Sequence, residues 1–496
     1  MMRTVEADRS TGPGGGTVEH VDVKPVNARE SRVLYKKREK IFPKRARGSF
    51  RKLKWAVMAA TLAIYYLAPW LRWDRGPFAP DQAILIDIPA RRFYFFFIEI
   101  WPQEVYYLTG LLILAAMGLF LVTSLAGRVW CGYTCPQTVW TDLFLAVERF
   151  VEGDRSARIR LDRAPWSASK LAKRVVKHLI WLVIAVLTGG AWVFYFADAP
   201  TLAANLLTFE APEVAYITIA VLTGTTYLLG GLAREQVCTY MCPWPRIQAA
   251  MIDEDSLIVS YHPGRGEPRG PLRKGQSREG RGDCIACNQC VVVCPMGIDI
   301  RDGMQLECIS CALCIDACND VMDKVDLPRG LIGYDTIANV ARREKGERTQ
   351  VRLIRPRTIL YAAIIALVGA IMLATLVTRS DLDVSVLRDR NPVFVTLSDG
   401  SIRNGYTLKI INKQHAVRHV GLTVDRLPGA SIKVIGTDDD AAAVLMVEPD
   451  QLASYRVYVI APRDVAAGSR DFDFVLSDRD GSGEARHETT FRGPER

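Results

Sequence analysis

The sequence lacks the motifs of nucleotide-dependent enzymes. It has no GxGxxG strand–helix unit and no Walker loop, so neither a nucleotide-binding flavin domain nor an ATPase is indicated. Histidine is scarce, with six in 496 residues, and His178 is the only histidine at an apolar run. Because two axial ligands would normally hold a transmembrane b-type haem, the sequence argues against that cofactor.

Cysteine is absent from residues 380–496 and concentrated elsewhere. Eight of the twelve cysteines lie between Cys284 and Cys318, as CxxCxxCxxxCP followed by CxxCxxCxxxC. This is the spacing of a two-cluster bacterial ferredoxin, in which the fourth cysteine of each run ligates the other cluster. The pattern predicts two [4Fe–4S] clusters, with these ligands: Cys284, Cys287, Cys290 and Cys318 for the first (cluster set 1), and Cys294, Cys308, Cys311 and Cys314 for the second (cluster set 2).

Zinc and disulfides are the alternatives for these eight cysteines. Structural zinc usually takes two pairs of ligands separated by a longer loop, whereas here two uninterrupted quartets occur. Disulfides need an oxidising compartment, and the topology predicted below places this segment in the cytoplasm.

Five apolar runs predict a polytopic membrane protein. Each approaches or exceeds the roughly 20 residues that cross a bilayer. The runs are Trp55–Leu71, Val105–Ala126, Leu179–Phe196, Val214–Leu232 and Thr358–Thr378. No cleavable signal peptide is expected, because the first run begins only at Trp55.

The basic residues predict the orientation of these crossings. Eleven Lys and Arg residues lie in 32–54, eight in 155–177 and seven in 342–357, but only four in 72–104 and none in 198–213. Cytoplasmic flanks retain positive charge. The amino terminus and the ferredoxin segment are therefore expected in the cytoplasm, and the carboxy-terminal region on the other side of the membrane. The family resemblance given below implies that this membrane is the bacterial inner membrane, so that the carboxy-terminal region lies in the periplasm.

The carboxy-terminal region has the pattern of a β-sandwich. Alternating runs at 406–411, 420–424, 454–460 and 472–476 are separated by Gly, Pro and Asp turns. About seven such strands predict an antiparallel sandwich of immunoglobulin type.

These features divide the chain into five expected parts. They are a basic, partly disordered amino terminus (1–54, with residues 1–30 expected to be disordered), a four-helix membrane domain (55–262), a two-cluster ferredoxin domain of α+β type with linkers (263–357), a fifth membrane helix (358–379) and an all-β immunoglobulin-like domain (380–496).

The remaining cysteines form an internal repeat. Cys131-x3-Cys135-Pro136 is the first pair, and Cys238-x3-Cys242-Pro243 is the second. The proline biases Cys135 and Cys242 away from helical backbone, so each pair should lie where a helix breaks. Parallel repeats of this kind would bring all four thiols together. Soft thiolates select Cu(I), zinc or iron–sulfur clusters, which favours a metal that is bound and reduced; dithiol exchange remains the competing interpretation.

Taken together, these motifs resemble one known family. A basic amino terminus, the segments Trp130-Cys-Gly-Tyr-Thr-Cys-Pro136 and Val237-Cys-Thr-Tyr-Met-Cys-Pro-Trp-Pro245, the ferredoxin quartets and the terminal β domain are similar to the FixG/CcoG (RdxA-like) accessory proteins of cbb3-type cytochrome c oxidase. The resemblance covers the chain from about Tyr35 onward.

The resemblance implies a cupric reductase. Cys131, Cys135, Cys238 and Cys242 would bind copper, and the eight clustered cysteines would supply electrons for reducing Cu(II) to Cu(I). The implied partners are copper as substrate, oxidase-assembly and copper-delivery proteins, an unidentified electron donor and membrane lipid. No nucleic acid is expected, and a homodimer is one expected assembly.

Two other functions stay open at this point. A quinol dehydrogenase subunit of the NapH or NosR kind shares the CxxxCP pairs and ferredoxin quartets, but is not expected to end in an immunoglobulin-like domain. A non-redox scaffold for oxidase assembly would use the clusters only structurally.

Overall fold

A computed structural model gives the fold. It describes residues 8–11, 17–27, 39–77, 79–271, 279–380, 382–414, 416–436, 444–449, 451–479 and 483–494. The chain divides into two compact units, and each is described by itself. The first comprises Met1–Leu71 and Ala83–Ile371, and the second comprises Arg72–Gln82 and Met372–Arg496.

The helices and strands are given in chain order. Up to residue 251 they are β1 (Asp8–Thr11), β2 (Thr17–His20), α1 (Ser49–Leu67), β3 (Ile84–Asp87), β4 (Arg92–Phe95), β5 (Ile98–Ile100), α2 (Tyr106–Ala126), α3 (Val129–Tyr133), α4 (Pro136–Glu152), α5 (Arg155–Arg163), α6 (Ala168–Val193), α7 (Ala199–Thr208), α8 (Glu213–Thr225) and α9 (Trp244–Met251). Two π-helical segments, Thr226–Ala233 and Val237–Met241, lie between α8 and α9.

The elements that follow belong to the cysteine-rich segment and the β-rich carboxy-terminal region. Between residues 252 and 380 they are β6 (Ile258–Tyr261), α10 (Pro263–Gly266), α11 (Gln289–Val292), α12 (Leu313–Lys324), β7 (Ile332–Asp335), α13 (Ile337–Glu344) and α14 (Pro356–Val377). Beyond residue 380 they are β8 (Leu382–Arg388), β9 (Val395–Thr396), β10 (Ile402–Asn412), β11 (Arg418–Asp425), β12 (Ser431–Val434), β13 (Val444–Val447), β14 (Gln451–Ala461), β15 (Ser469–Asp478) and β16 (Glu484–Arg492).

Four helical segments of the described chain are long and apolar enough to cross a membrane. They are Pro102–Ala126, Ala168–Val193, Glu213–Ala233 and Pro356–Val377, and they confirm four of the five predicted runs as apolar helices. The first run differs because α1 begins at Ser49 and carries three cations in its first two turns. The predicted number of five membrane crossings is therefore not confirmed.

The beginning of α1 is held by the cysteine-rich segment. Asp316 of α12 accepts hydrogen bonds from the backbone N–H groups of Phe50 (3.2 Å) and Arg51 (2.7 Å). These N–H groups have no partner within the helix, so the carboxylate acts as a cap supplied from a distant part of the chain. The Arg51 side chain is buried and donates two bonds of 2.9 Å to Asp142 of α4. Two carboxylates thus join α1 to its neighbours: Asp316 joins it to the ferredoxin segment, and Asp142 joins it to α4.

The cysteine-rich segment folds around a short antiparallel pair. β6 pairs with β7 from Ile258↔Asp335 to Tyr261↔Ile332. α11 begins just before Cys290 and α12 just before Cys314, the third cysteine of each run. Apolar side chains of both helices join one buried cluster with residues of β6 and β7. The segment thus combines helices and strands, as an α+β domain does, although β6 lies before the expected first residue, 263.

The amino-terminal region is more ordered than expected. Residues 1–7, 12–16 and 28–38 lie outside the described residues, but β1 pairs with β2. Gln289 donates a 2.7 Å bond to the Glu19 carbonyl, and Asn27 donates one of 2.7 Å to the Met296 carbonyl. The prediction of disorder is wrong for residues 17–27. This stretch has no apolar periodicity, but hydrogen bonds to the ferredoxin segment hold it in place.

The carboxy-terminal region is a β-sandwich. One sheet has the strand order β12-β14-β10-β8, with β9 also pairing with β10, and the other has the order β13-β11-β15-β16. The four strands predicted from alternation lie within β10, β11, β14 and β15, which confirms them. Aromatic side chains of both sheets meet in the core, where the Tyr406 ring lies 5.6 Å from Phe472 and 5.3 Å from Phe474. The Tyr406 hydroxyl also donates to the Thr490 carbonyl across the sandwich (2.9 Å).

Candidate electron-transfer site

The structure brings the eight clustered cysteines together in two groups. Cys318 lies close enough to Cys284 and Cys287 for their charges to interact, although it belongs to the other run in sequence. In the same way Cys294 lies beside Cys308 and Cys311. The fourth cysteine of each run therefore crosses to the three closely spaced cysteines of the other run, which is the arrangement that cluster sets 1 and 2 require.

Both runs share an unusual backbone pattern. Ala286 and Asn288 have φ of 52° and 56°, and the equivalent residues Ser310 and Ala312 have φ of 53° and 60°. Non-glycine residues in the left-handed region cost about 1–2 kcal/mol each relative to right-handed backbone. Alternation of right- and left-handed residues turns successive N–H groups toward one concave side, as in anion-binding and iron–sulfur sites. The repeated strain is explained if each run wraps an anionic group.

Burial and hydrogen bonding also fit thiolate ligands. Desolvation raises the pKa of Cys294 to about 12 and that of Cys308 to about 11, and the backbone N–H groups of Ile298 and Met296 oppose the rise at Cys294. Such thiols would ionise only with a compensating cation. All twelve cysteines are unpaired thiols. Eight thiols in two groups, four of them buried and four half-buried, fit two [4Fe–4S] clusters, and backbone N–H donors approach several of them.

An arginine supports cluster set 1. Arg301 donates to Asp299 through Nε (2.8 Å) and Nη2 (2.6 Å), and to the Asn288 side chain through Nη2 (2.8 Å). Its charge reaches Cys290, where it lowers the thiol pKa against a larger rise caused by burial. Arg301 would stabilise negative charge on a cluster held by this set.

Each CxxxCP pair lies at a break in a helix. Gly127 has φ of 59° and Arg234 has φ of 47°, and each lies four residues before the first cysteine of its pair. The second cysteines are extended, with φ and ψ of −56° and 127° at Cys135 and −79° and 122° at Cys242. The predicted effect of the following proline is confirmed. The two pairs still differ, since Cys131 lies in α3 and Cys238 in a π-helical segment.

The four thiols lie near one another, and Arg128 lies beside two of them. Cys131 interacts electrostatically with Arg128, Cys135 and Cys242. Burial raises the pKa of Cys238 to about 12, with smaller contributions from neighbouring thiols, and Arg128 opposes the rise. The guanidinium is itself buried, at 4% exposure. The two pairs are thus brought together in space, and one cation lies beside the first cysteine of each.

The first pair contacts the backbone of cluster set 2. A methyl group placed on Gly132 would lie 2.6 Å from the Ile309 carbonyl oxygen and 3.0 Å from the Cys311 Cα, so only glycine allows this approach. The buried Tyr133 hydroxyl donates to the Cys311 carbonyl (3.2 Å), and Arg128 donates to the Leu306 carbonyl. Three residues of the first repeat, Arg128, Gly132 and Tyr133, therefore fix it against the second cluster-binding run.

Apolar packing extends this contact to the second pair. Cys131 belongs to one buried cluster with Met296, Ile309 and Cys311, and Cys238 packs against the same cluster. Cys294, Cys308 and Cys314 also pack there. Thiols of both CxxxCP pairs and all members of cluster set 2 therefore share one apolar environment.

The four CxxxCP thiols do not form a ready single-ion cage. Within the part of the chain that the structure describes, no group of three or more His, Cys, Asp or Glu side chains is placed to hold one metal ion. Cys131 instead donates from Sγ to Gln248 Oε1 (3.0 Å), and Gln248 donates to Thr123 (3.2 Å). The expected joint metal site remains a prediction.

Several residues of the site could not be assigned from the sequence. Arg128 was visible only as a charge beside an apolar run, and Tyr334, whose hydroxyl donates to the Ser310 carbonyl (2.7 Å), carried no signal. Gly132 and Tyr133 stood within the first CxxxCP segment. The difference between Gly132 and its counterpart Thr239 was a cue that the two repeats have different neighbours.

Family comparisons agree with the cluster geometry. Residues 233–337 match the family model of a 4Fe-4S dicluster domain, and residues 108–151 match that of a 4Fe-4S binding domain. The second match covers α2, the first CxxxCP pair and most of α4. Residues 372–494 match the model for the IG-like fold at the C-terminal of FixG.

Whole-chain comparisons extend this result. The chain is 54% identical to the nitrogen fixation protein FixG of Rhizobium meliloti, covering 93% of this chain and 94% of the relative. It is 53% identical to protein RdxB of Cereibacter sphaeroides, covering 93% and 97%, and 53% identical to protein RdxA of the same organism, covering 91% and 96%. With four apolar helices, a 4Fe–4S dicluster domain and this similarity over nearly its whole length, the chain belongs to the family of FixG and the Rdx proteins.

Proposed function

We propose that this protein is a membrane-bound iron–sulfur oxidoreductase that reduces Cu(II) to Cu(I). Cys131, Cys135, Cys238 and Cys242 would bind the copper ion, and the thiols of cluster sets 1 and 2 would hold two [4Fe–4S] clusters. When bound, such clusters supply single electrons, and one electron converts Cu(II) to Cu(I). Soft thiolates favour the reduced ion.

The packing of the CxxxCP thiols is the observation that favours this proposal over a quinol dehydrogenase subunit or a scaffold. Cys131 and Cys238 pack in the same buried apolar cluster as the four thiols of cluster set 2. A thiol pair that served only packing would not need Gly132 within van der Waals contact of the Cys311 backbone. Under this proposal the CxxxCP thiols would lie next to a redox centre, where a bound ion could be reduced.

Arg128 supports the same function electrostatically. Its charge opposes the burial-induced rise in the pKa of Cys131 and of Cys238, so it favours their thiolate forms. It also interacts with Cys308 of cluster set 2. One cation would thus stabilise negative charge on both sides of the contact.

The biological setting is part of the proposal. The ferredoxin segment would face the cytoplasm and the β-sandwich the periplasm, with copper-delivery and cbb3-type oxidase assembly proteins as partners. A reporter active only in the cytoplasm should work when inserted after Gly270 and be silent when fused after Arg496. The reverse pattern would contradict this orientation.

The function is tested by following electrons to copper. Anaerobically purified protein with dithionite-reduced clusters should reoxidise when Cu(II) is added, and Cu(I) should appear in a colorimetric chelator assay. The Cys131→Ala/Cys242→Ala variant should keep its iron–sulfur absorbance but lose copper binding and Cu(II)-dependent reoxidation together. Met241→Ala is the matched control, because Met241 neighbours Cys242 but is 61% exposed.

Other outcomes would point elsewhere. If the double variant reduces Cu(II) as fast as the parent protein, the pairs are structural or serve a dithiol reaction. Reoxidation by a quinone analogue but not by Cu(II) would identify a quinol-linked subunit. If neither Cu(II) nor a quinone analogue reoxidises the clusters, the result would point to an assembly scaffold. Copper analysis of the parent protein would also show whether the pairs bind one ion jointly or one each.

A further inference from the structure

A cavity lies apart from the cysteines. It has a volume of about 480 Å³ and is lined by Lys40–Phe42 and by residues of α4, α5, α6 and the π-helical segment Thr226–Ala233. None of the twelve cysteines lines it. It therefore needs an explanation separate from electron transfer.

The cavity has an excess of positive charge. Six cationic side chains line it, namely Lys40, Arg158, Lys170, Arg174, Lys177 and Arg234. Three carboxylates, Glu148, Glu152 and Asp162, oppose them. Six positive and three negative charges leave a net charge of about +3 before any histidine is protonated. An isolated protein would not normally gather such charge without a compensating anion.

The three carboxylates are already shared among the cations. Lys177 lies 3.1 Å from Glu152 and 3.6 Å from Glu148. Arg174 contacts both Glu152 (3.0 Å) and Asp162 (2.9 Å). Each carboxylate therefore serves at least two cations, and the surplus charge cannot be neutralised within the cavity wall.

One buried cation also has unused donors. The Arg158 side chain is 1% exposed and bonds to Glu148 through Nη2. Its Nε and Nη1 atoms are buried without a hydrogen-bond partner. A buried donor without a partner costs about 1–3 kcal/mol. Arg158 lines the cavity, so its charge adds to the surplus there, although the two atoms without a partner are themselves inaccessible to solvent.

The cavity lies at the charged end of an apolar helix. Lys170, Arg174 and Lys177 occupy the first three turns of α6, which continues as a candidate membrane-spanning segment to Val193. Trp166, just before α6, lines the cavity and is 75% exposed, as is usual for tryptophan at the level of lipid headgroups. The cavity is therefore at the depth where lipid phosphates lie.

We infer that this cavity binds the phosphate group of an anionic phospholipid. Basic pockets between membrane helices recognise such headgroups, and phosphate accepts several charge-assisted hydrogen bonds at once. Trp166 and the exposed apolar face of α6, including Leu171 and Val175, would lie along the acyl chains. The inference does not depend on copper reduction.

The test uses the full chain in detergent. The thermal midpoint of the parent protein should rise on adding phosphatidylglycerol, but not phosphatidylcholine or inorganic phosphate. Native mass spectrometry should show phosphatidylglycerol retained on the parent protein. In Lys40→Gln/Arg174→Gln the lipid affinity should fall about tenfold or more, because charge-assisted bonds to phosphate are lost.

Lys173→Gln is the matched control. Lys173 lies on the same turn of α6 and carries the same charge, but it is exposed and does not line the cavity. This variant should bind phosphatidylglycerol like the parent protein. Iron–sulfur absorbance verifies that each variant is folded, and Lys40→Gln alone, at a 64% exposed side chain, replaces the double variant if that protein does not fold.

Three results would overturn the inference. Equal loss of affinity in Lys173→Gln would show that only the overall charge of α6 matters. A full stabilisation by inorganic phosphate would assign the cavity to a free anion. Stabilisation by a quinone analogue instead of phosphatidylglycerol would assign it to a different class of ligand.

Discussion

The two CxxxCP repeats have the same sequence pattern but different surroundings. In the first repeat Cys131 is 7% exposed, Tyr133 is 5% exposed, and the chain touches cluster set 2 at Gly132. In the second repeat the counterpart of Tyr133, Tyr240, is 52% exposed, and Met241 is 61% exposed. The first repeat is fixed to the ferredoxin segment by several contacts. In the second repeat Cys238 packs against the same apolar cluster, but two of the three residues between its cysteines are exposed.

The charges beside the two repeats differ as well. Arg128 lies three residues before Cys131, whereas the residue three before Cys238 is Glu235. Arg234, which precedes Cys238 by four residues, bonds to Glu148 and lies 5.3 Å from the Trp181 ring. The structural counterpart of Arg234 is therefore Gly127, and the two arginines have different roles.

This contrast indicates that the two repeats have different functions. A closely docked pair suits electron transfer, because its contact with cluster set 2 is fixed by glycine, tyrosine and arginine. A repeat with exposed residues between its cysteines suits entry of an ion. Under the proposed function, Cu(II) would enter beside the second repeat, and an electron from cluster set 2 would reduce it to Cu(I) beside the first.

The largest expected effect separates the two cluster sets. Cys311→Ser should lose the cluster of set 2, and Cys287→Ser that of set 1, each lowering iron from about eight to about four per chain. Only the loss of set 2 should abolish Cu(II)-dependent reoxidation of the remaining cluster, because the first repeat contacts Cys311. Iron analysis with stopped-flow absorbance measures both. Equal loss of Cu(II)-dependent reoxidation in the two variants would show that contact with the first repeat does not distinguish cluster set 2 from cluster set 1.

A steric substitution tests the docking itself. Gly132→Ala places a methyl group 2.6 Å from the Ile309 carbonyl, and overpacking of this kind costs about 1–3 kcal/mol. The thermal midpoint for loss of iron–sulfur absorbance should fall, and reoxidation by Cu(II) should slow. Thr239→Ala, at the equivalent position of the second repeat, should change neither. Similar effects of both substitutions would mean that the repeats are equivalent after all.

The smallest expected effect concerns the two tyrosines. Tyr133→Phe removes the hydroxyl that donates to Cys311 (3.2 Å) and should destabilise the protein by about 0.5–1.5 kcal/mol. Tyr240→Phe removes an exposed hydroxyl and should leave stability unchanged. Chemical unfolding followed by iron–sulfur absorbance compares the two variants. A larger loss for Tyr240→Phe would show that the second repeat is buried by a partner.

Much of the architecture could be predicted locally. Four apolar runs became helices because their composition is apolar over a membrane-spanning length. The second of these helices, α6, begins at Ala168, well before the predicted start at Leu179, and its first turns carry cations. Four alternating runs became strands of the sandwich, since period-two patterning requires one buried face. The short strands β3, β4 and β5 and the hairpin of β1 and β2 were not predicted, because strands of three or four residues depend on their neighbours rather than on propensity.

The sequence by itself determined the chemistry of the ligands. Cysteine spacing specified which thiols can wrap one cluster, and proline after Cys135 and Cys242 imposed extended backbone at both residues. These are local constraints, because they act across a few bonds. Only the tertiary structure decided which repeat faces the clusters: Arg128 reaches Leu306, and Tyr133 reaches Cys311, each across 178 residues of chain. Contacts at that separation depend on how whole elements pack, and two nearly identical motifs cannot by themselves specify different neighbours.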